Sequence, residues 1–195
     1  AEAFQVPYFV FSSSCSVYGN SKELPVTETT PLQRAMSPYA HTKQIGEEII
    51  QNVAVAHSEQ HFVLLRYFNP VGAHESALIG EWPSGQPENL VPIITETAIG
   101  KRNKMYIFGN DWNTRDGTCV RDYIHVMDIA NAHTKALQYL LDQRNTDNCE
   151  IFNLGTGNGV TVLEAVKAFE EVTGQPLNYE LTKRRPGDVE AVYAN

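Results

Sequence analysis

Cysteine is scarce in this chain, and its placement excludes a disulfide framework. The 195 residues contain three cysteines, Cys15, Cys119 and Cys149, which are odd in number and far apart. That spacing fits neither paired disulfides nor a zinc knuckle. His57 and His61 lie four residues apart, but the glutamate between them is at the wrong offset for a zinc protease, so we expect no metal site. Reduced thiols indicate a cytoplasmic protein.

Long apolar runs and an excess of positive charge are also missing. No stretch approaches the ~18 apolar residues of a membrane-spanning helix, and the N-terminus lacks the basic start and cleavage site of a signal peptide. The net charge of −8 argues against binding to nucleic acid or anionic membranes, because both need a broad positive surface. We therefore expect no nucleic-acid and no membrane partner, and any anionic ligand should meet individual arginines.

The order of the apolar segments predicts an α/β fold. A length of 195 residues with 42% hydrophobic residues suffices for one domain or one and a half. A predicted strand over residues 8–11, a helix over 38–56 and a strand over 62–67 indicate a parallel sheet whose ligands lie beyond the carboxyl ends of the strands. Further along, the pattern predicts helices over 91–99, 126–141 and 162–172, strands over 105–108 and 150–154, and loops over 20–36, 72–89 and 109–117.

Tyr39 and Lys43 form the pair with the clearest chemical potential. Ser37 and Pro38 are typical of a helix start, so Tyr39 and Lys43 would project from one face of the helix that follows. A free phenol ionises only near pH ~10, but an adjacent ammonium stabilises the phenolate as a base. Ser14, at the end of the first predicted strand, could relay a proton or hold a substrate oxygen. The alternative is an unremarkable surface pair.

The segment Gly155-Thr156-Gly157-Asn158-Gly159 lies between a predicted strand and a predicted helix, as a dinucleotide-binding turn would. Its third glycine comes one residue early for Gly-x-Gly-x-x-Gly, and the acidic residue expected further on is missing. Thr161 and Glu164 have the spacing of a capping box, which explains the turn without a ligand. We therefore interpret it as a structural turn.

Arg121 and Arg185 are candidate phosphate ligands. Each lies in a motif with acidic neighbours, Val120-Arg121-Asp122-Tyr123 and Arg184-Arg185-Pro186-Gly187-Asp188. Guanidinium groups bind phosphate oxygens through paired hydrogen bonds, and a carboxylate such as Asp188 can accept from ribose hydroxyls. The alternative is a structural ion pair between Arg121 and Asp122 or Asp128.

Several ordered motifs resemble the extended short-chain dehydrogenase/reductase family. The first are Ser12-Ser13-Ser14, Val17-Tyr18-Gly19, Ser37-Pro38-Tyr39 with Lys43, Leu65-Arg66-Tyr67-Phe68-Asn69-Pro70 and Gly72-Ala73. Within that family, the later motifs are similar to those of the UDP-glucose 4-epimerases. These are Asn89-Leu90, Ile107-Phe108-Gly109-Asn110-Asp111, Asp116-Gly117-Thr118, Val120-Arg121-Asp122-Tyr123-Ile124-His125-Val126, Asn153-Leu154-Gly155-Thr156-Gly157, and Arg184-Arg185 with Gly187-Asp188.

The resemblance covers the whole chain and implies its architecture. The fold would be the C-terminal part of a Rossmann-type doubly wound parallel sheet plus a smaller mixed α/β substrate-binding domain. Residues 1–74 would belong to the NAD-binding domain and 75–195 mainly to the nucleotide-sugar-binding domain, with about 120–158 returning to the Rossmann sheet. A homodimer is also implied.

For activity, the resemblance implies a reversible, NAD-dependent exchange of UDP-glucose and UDP-galactose through a 4-keto sugar. Tyr39 would take the proton of the 4-hydroxyl, Ser14 would hold or shuttle at that hydroxyl, and Lys43 would grip the nicotinamide ribose. Phe68 would lie against the cofactor. The remaining implied contacts are Asn69, Asn89 and Leu90 at the nucleotide sugar, Tyr106, Ile107 and Phe108 at the uridine, Arg121 and Arg185 at the diphosphate, and Asp188 at the ribose.

The chain also departs from the family pattern. Family members begin with a strand and a glycine-rich turn for the NAD pyrophosphate, and they continue beyond Asn195, so we expect a fragment that is inactive by itself. Val192 matches a position where some members carry tyrosine. Its smaller side chain predicts room for N-acetylated UDP-hexosamines.

Three other functions stay open. A nucleotide-sugar 4,6-dehydratase would need an acidic residue where Cys15 and Ser16 stand. A UDP-glucuronate decarboxylase is a second alternative from the same superfamily. The third is a non-catalytic nucleotide-sugar-binding module, which would need no glycine-rich turn of its own.

Overall fold

The computed structural model describes residues 6–195 and confirms the predicted α/β fold with parallel strands. The helices are α1 (Pro38–Ala56), α2 (Leu90–Ala98), α3 (Val126–Leu141) and α4 (Val162–Thr173). The strands are β1 (Tyr8–Ser14), β2 (His61–Tyr67), β3 (Asn69–Val71), β4 (Met105–Phe108), β5 (Val120–His125), β6 (Cys149–Leu154), β7 (Gly159–Thr161), β8 (Tyr179–Thr182) and β9 (Ala191–Val192). A short 3-10 turn, Cys15–Tyr18, follows β1 directly.

A three-stranded parallel sheet in the order β1-β2-β6 forms the first half of the structure. Successive side chains of a strand point to opposite faces. Phe11 on β1 lies against Gly46 of α1, whereas Val10 packs against the apolar cluster that contains Ala136 and Leu140 of α3. The sheet therefore carries α1 on one face and α3 on the other, as a doubly wound fold requires.

Helix α1 begins and ends where the sequence predicts. Ser37 is its N-cap and accepts a hydrogen bond from the Ala40 N–H at 3.1 Å, and Pro38 occupies the first turn. A Cβ at Gly46 would lie 2.7 Å from the Phe11 ring, so glycine is what lets this helix approach the sheet closely. The N-terminal turn of α1, with Tyr39, is thereby held near the carboxyl end of β1.

The second half of the structure is built around β5. Its first residues pair with β7 and β9, and its last residues pair with β3 in parallel. Separately, β4 and β8 form a two-stranded parallel sheet. On the buried side of this sheet, Met105 and Ile107 belong to one apolar cluster with Ile94 of α2 and Val166 of α4. This packing fixes the strand that carries the predicted uridine contacts.

Segments distant in the chain return to the first sheet. Strand β6 pairs with β2 from Phe62↔Cys149 to Tyr67↔Leu154, and α3 precedes it along the chain. The domain limits at residues 74 and 158 stay predictions. Within residues 6–195, no helix is long and apolar enough to cross a membrane, and no group of three or more His, Cys, Asp or Glu side chains could hold a metal ion.

Candidate active site

One cleft of about 930 Å³ brings together most of the predicted site residues. It lies where α1, β3, α2, β4 and β5 meet the segment before β9. The predicted residues that line it are Tyr39, Asn69, Asn89, Leu90, Tyr106, Ile107, Phe108, Arg121, Arg185 and Asp188. Its size is in the range of pockets that bury small-molecule ligands.

Tyr39 lines one end of this cleft, and Lys43 lies beside it. The Tyr39 side chain is 53% exposed and lines the cavity. The Lys43 Nζ lies 5.6 Å from the centroid of the Tyr39 ring and donates a hydrogen bond to the main-chain oxygen of Ser12 at 2.8 Å. The ammonium is therefore fixed between the phenol and the end of β1, where it can stabilise a phenolate.

Burial makes Tyr67 and Tyr123 poor candidates for a base. Burial raises the pKa of Tyr123, which also lines the cleft, to about 12. Burial, and then the neighbouring Tyr39, raise the pKa of Tyr67. Both phenols therefore stay protonated at neutral pH and can only donate hydrogen bonds or accept them as neutral hydroxyls.

The other predicted residues of the reaction centre lie behind the cleft wall. Ser14 is 7% exposed, and its Oγ accepts a hydrogen bond from the Ser16 N–H at 3.2 Å, which caps the 3-10 turn. Phe68 and Val192 are both buried and belong to one apolar cluster. Val192 also pairs through its backbone with Arg121. These side chains therefore lie next to the cleft residues without lining the cavity themselves.

Arg121 and Arg185 converge on a single carboxylate. Arg185 Nη2 donates to Asp188 Oδ1 at 2.9 Å, and Arg121 Nη2 lies 3.9 Å from the same oxygen. Arg121 Nη1 donates to the Val120 carbonyl at 2.8 Å, and the Arg185 guanidinium lies 5.4 Å from the centroid of the Phe108 ring. The ion-pair partner of Arg121 is thus Asp188, in place of the alternatives Asp122 and Asp128.

Asp122 instead holds the glycine-rich turn. It is completely buried, and its carboxylate accepts hydrogen bonds from the Thr156 N–H at 2.8 Å, the Thr156 hydroxyl at 2.7 Å, the Gly157 N–H at 3.0 Å and the Ala194 N–H at 3.1 Å. A Cβ at Gly155 would lie 2.4 Å from Asp122 Oδ2. The capping box of Thr161 and Glu164 is confirmed. This turn therefore binds an internal carboxylate where a phosphate site would need free N–H groups.

The donor set at the carboxyl end of β1 fits NAD. The Lys43 ammonium and the Tyr39 hydroxyl are donors suited to ribose oxygens. The Ser16 hydroxyl lies in the 3-10 turn that follows β1. It is buried and finds no hydrogen-bond partner in the described part of the chain. Ligands of doubly wound folds bind at this edge of the sheet, where β1 ends.

Several cleft residues were not predicted as site residues, among them Cys119, Tyr123 and Arg102. Cys119 is 3% exposed, and burial raises the pKa of its thiol, so it contributes an inert wall. Tyr123 lies in the Val120-Arg121-Asp122-Tyr123 motif, and its phenol reaches the cleft beside Arg121. Arg102 lines the cleft from the loop after α2 and donates to Gln86 Oε1 at 3.0 Å. Nothing near Arg102 in the sequence marks it, because the chain reaches the cleft there only through tertiary packing.

The sequence profile of the NAD dependent epimerase/dehydratase family matches residues 1–155. The UDP-glucose 4-epimerase of Cyamopsis tetragonoloba is 53% identical over 186 residues, which cover 95% of this chain and 52% of that protein. The crystal structure of UDP-glucose 4-epimerase from Bifidobacterium longum, in complex with NAD+ and UDP, superimposes with a TM-score of 0.92 at 46% sequence identity. The match covers 100% of this chain and 57% of that one.

The UDP-glucose 4-epimerase structure from Stenotrophomonas maltophila, with bound NAD and formylated UDP-arabinopyranose, is 48% identical with a TM-score of 0.92, over 97% of this chain and 55% of that one. The chain spans about half the length of the curated relatives it matches. The resemblance to the epimerases is thereby confirmed. The chain belongs to the NAD dependent epimerase/dehydratase family.

Proposed function

We propose that the intact protein interconverts UDP-glucose and UDP-galactose by NAD-dependent epimerisation at C4. The observation that carries the proposal is that Tyr39 and the pair Arg121 and Arg185 line one cleft of about 930 Å³. A base and a diphosphate clamp in one cavity are what a reaction on a nucleotide sugar needs. The relatives named UDP-glucose 4-epimerase support the choice of substrate.

In this proposal Tyr39 removes the proton from the sugar 4-hydroxyl and later returns it. Lys43 favours the phenolate, because its ammonium is held beside the ring by the Ser12 carbonyl. Ser14 holds or shuttles at the same hydroxyl from the end of β1, and Phe68 backs the cofactor. NAD would be held by Lys43, Tyr39 and Phe68 at the end of β1, and it would supply a reversible hydride acceptor for C4 of the sugar.

The nucleotide is held while the hexose turns over. Arg121 and Arg185 bind the diphosphate through planar donor pairs, and Asp188 accepts from the ribose. The uridine and sugar contacts come from Tyr106, Ile107 and Phe108 on β4, and from Asn69, Asn89 and Leu90. Tyr106 and Phe108 are half-exposed, whereas the Ile107 side chain is buried in the core. Anchoring one end of the substrate leaves the rest of the cavity for rotation of the sugar.

N-acetylated UDP-hexosamines are proposed as further substrates. Val192 is buried against Phe68 and Ala194, directly behind the wall that Arg121 forms. A valine fills less space than the tyrosine found at the matching position of some family members. On this proposal, a valine behind the cleft wall leaves more room than a tyrosine would for a bulkier substituent on the hexose.

A cytoplasmic homodimer is proposed as the working form. Cys15, Cys119 and Cys149 are free thiols, as expected in a reducing compartment. On α1, Ile45 and Ile49 are 42% and 57% exposed, which suits contact with a second copy. Light scattering of the intact protein should give twice the mass of one chain, and a monomer would refute the dimer.

The activity is tested with UDP-galactose and NAD supplied to the intact protein and to its Tyr39→Phe variant. The parent should form UDP-glucose, and the variant should lose roughly 10²–10⁴ of the turnover, as expected for a missing general base. The control is Tyr8→Phe, which removes a hydroxyl at the opposite end of β1 and should retain activity. Both variants should bind UDP like the parent.

Full turnover by Tyr39→Phe would contradict the assigned base. A parent that binds UDP but never converts UDP-galactose would contradict the enzyme and favour a nucleotide-sugar-binding module.

A further inference from the structure

A buried polar network lies directly behind the face of α1 that carries the reactive pair. Tyr39, Lys43 and Glu47 are spaced four residues apart, so they share one side of the helix. Tyr39 lines the cleft and Lys43 reaches the end of β1, whereas the Glu47 side chain is 1% exposed. Along this helix face, the side chains thus go from solvent-exposed to deeply buried within about two turns.

Glu47 is paired with Arg66 on β2 by two parallel hydrogen bonds. Arg66 Nε donates to Glu47 Oε1 at 2.9 Å, and Arg66 Nη2 donates to Glu47 Oε2 at 2.6 Å. The Arg66 side chain is 3% exposed. The Ser13 hydroxyl also donates to Glu47 Oε1. A bidentate pair of this kind fixes direction as well as distance, because the guanidinium fork and the carboxylate are both planar.

The free edge of Arg66 extends the network across the sheet. Its Nη1 donates to the Tyr18 hydroxyl at 3.0 Å and to the Glu28 carbonyl at 3.2 Å, and the Tyr18 hydroxyl donates to Asn153 Oδ1 at 2.6 Å. Glu47 thereby connects α1 to the carboxyl ends of β1, β2 and β6. These are the strand ends at which the ligands of such a sheet bind.

Stability alone is a weak reason for this pair. The free energy needed to remove two charges from water is about as large as the free energy gained from their attraction. Apolar side chains of similar volume therefore often stabilise a core equally well. Other contacts of α1 on this side are the apolar approach of Gly46 to Phe11 and the hydrogen bonds from Gln44 Nε2 to the Val17 carbonyl at 2.8 Å and the Gln33 carbonyl at 2.7 Å. The paired, buried bonds of Glu47 add a planar constraint on the rotation of the helix about its axis, which single bonds to carbonyl oxygens do not supply.

We infer that the Glu47–Arg66 pair is a positioning element for the proposed reaction. It sets the rotation of α1 so that Lys43 reaches the Ser12 carbonyl and Tyr39 enters the cleft. Neither Glu47 nor Arg66 touches the substrate or moves a proton. The inference rests on the proposed epimerase function and adds two residues that act through Tyr39 and Lys43.

The test replaces the pair by apolar side chains of similar size in the intact protein, as Glu47→Leu with Arg66→Met. Removing both partners avoids an unpaired buried charge, so the double variant should fold. Its kcat with UDP-galactose should fall roughly tenfold to a hundredfold, as expected for a shift of reacting groups by about 1 Å. KM and the Kd for UDP should stay within about twofold, because the nucleotide contacts lie on other elements.

A matched control separates position from stability. Leu140→Ala opens a cavity between α3 and the opposite face of the sheet, so it should lower Tm while leaving kcat unchanged. A parental kcat in the double variant would overturn the inference. If the double variant does not fold, Glu47→Gln, which keeps the shape and one acceptor oxygen, decides the matter. A parental kcat there also overturns it, and a reduced kcat with parental KM supports it. A parent without epimerase activity would refute the proposed function itself, and the inference with it.

Discussion

Replacing Asp122 by alanine tests the interpretation of the glycine-rich turn. Asp122 joins β5 to the turn after β6 and to Ala194, and four donors point at its two oxygens. In Asp122→Ala all four donors lose their acceptor at once. If the turn is held by this carboxylate, its loss should destabilise the protein strongly although the residue contacts no ligand in our proposal.

The size of the effect follows from the burial of each donor. The Ala194 residue is 3% exposed, so its N–H has no water to replace the carboxylate, at a cost of about 1–3 kcal/mol. The donors of Thr156 and Gly157 are partly exposed and can be rehydrated, so each loses about 0.5–1.5 kcal/mol. With three such donors the total is roughly 2.5–7.5 kcal/mol, which lowers Tm by roughly 5 °C or more for a chain of this size.

Urea denaturation followed by tryptophan fluorescence measures this change. The matched control is Asp142→Ala, which removes an exposed carboxylate that accepts from Gln138 and should change the unfolding free energy by less than about 0.5 kcal/mol. Asp122→Asn, which keeps one acceptor oxygen, should fall between the two. A loss of under about 1 kcal/mol in Asp122→Ala would refute the reasoning, since the turn would then hold itself.

The other predictions concern ligand binding, substrate choice and pH. Arg121→Lys should weaken UDP binding by roughly tenfold or more in calorimetry, because one charge-assisted hydrogen bond contributes about 1.5–3 kcal/mol; unchanged affinity would remove Arg121 from the clamp. Val192→Tyr should lower turnover of N-acetylated UDP-hexosamines roughly tenfold or more relative to UDP-galactose. Equal rejection of these substrates by the parent and by Val192→Tyr would contradict the proposal that valine leaves space for the N-acetyl group. Hydrogen bonds from Arg115 and then from Thr161 lower the pKa of Glu164 from 4.5 to about 2. Its stabilisation is therefore complete above pH 4.5 and is lost as pH falls toward 2, so the stability difference between the parent and Glu164→Gln should be constant above about pH 4.5 and should close as pH falls toward 2. Because the side chain is 42% exposed, the separation should stay below about 1 kcal/mol.

Elements with strong local signals were predictable from the sequence. Helices α1 and α3 have the predicted limits, and strand β4 does too. Strand β1 continues three residues beyond its predicted end, because Ser12, Ser13 and Ser14 pair with β2 although serine carries no strand signal. Strand β5 was missed for a related reason. Its inward positions alternate as Val120, Asp122 and Ile124, and the buried aspartate breaks the apolar period.

The site was predictable where a motif carried it. Tyr39, Lys43 and the arginines were found by residue type and spacing, and resemblance supplied the rest. Cys119 and Arg102 could not be found in this way, because only tertiary packing brings them to the cleft. The same holds for the partner of Arg121, since Asp188 is far away in sequence whereas Asp122 is adjacent. Asp122 follows Arg121 directly in the chain but does not pair with it, because side chains of successive strand residues point to opposite faces.

The sharing of Asp188 by Arg121 and Arg185 has a kinetic consequence. Two guanidinium charges face one carboxylate, in a chain whose net charge is −8, so the clamp presents little positive field to solvent. Long-range electrostatic steering of a dianion toward it is therefore weak, and ionic strength should affect the dissociation of a bound diphosphate more than its association. The arginines recognise their ligand on contact, by exchanging one anionic partner for another.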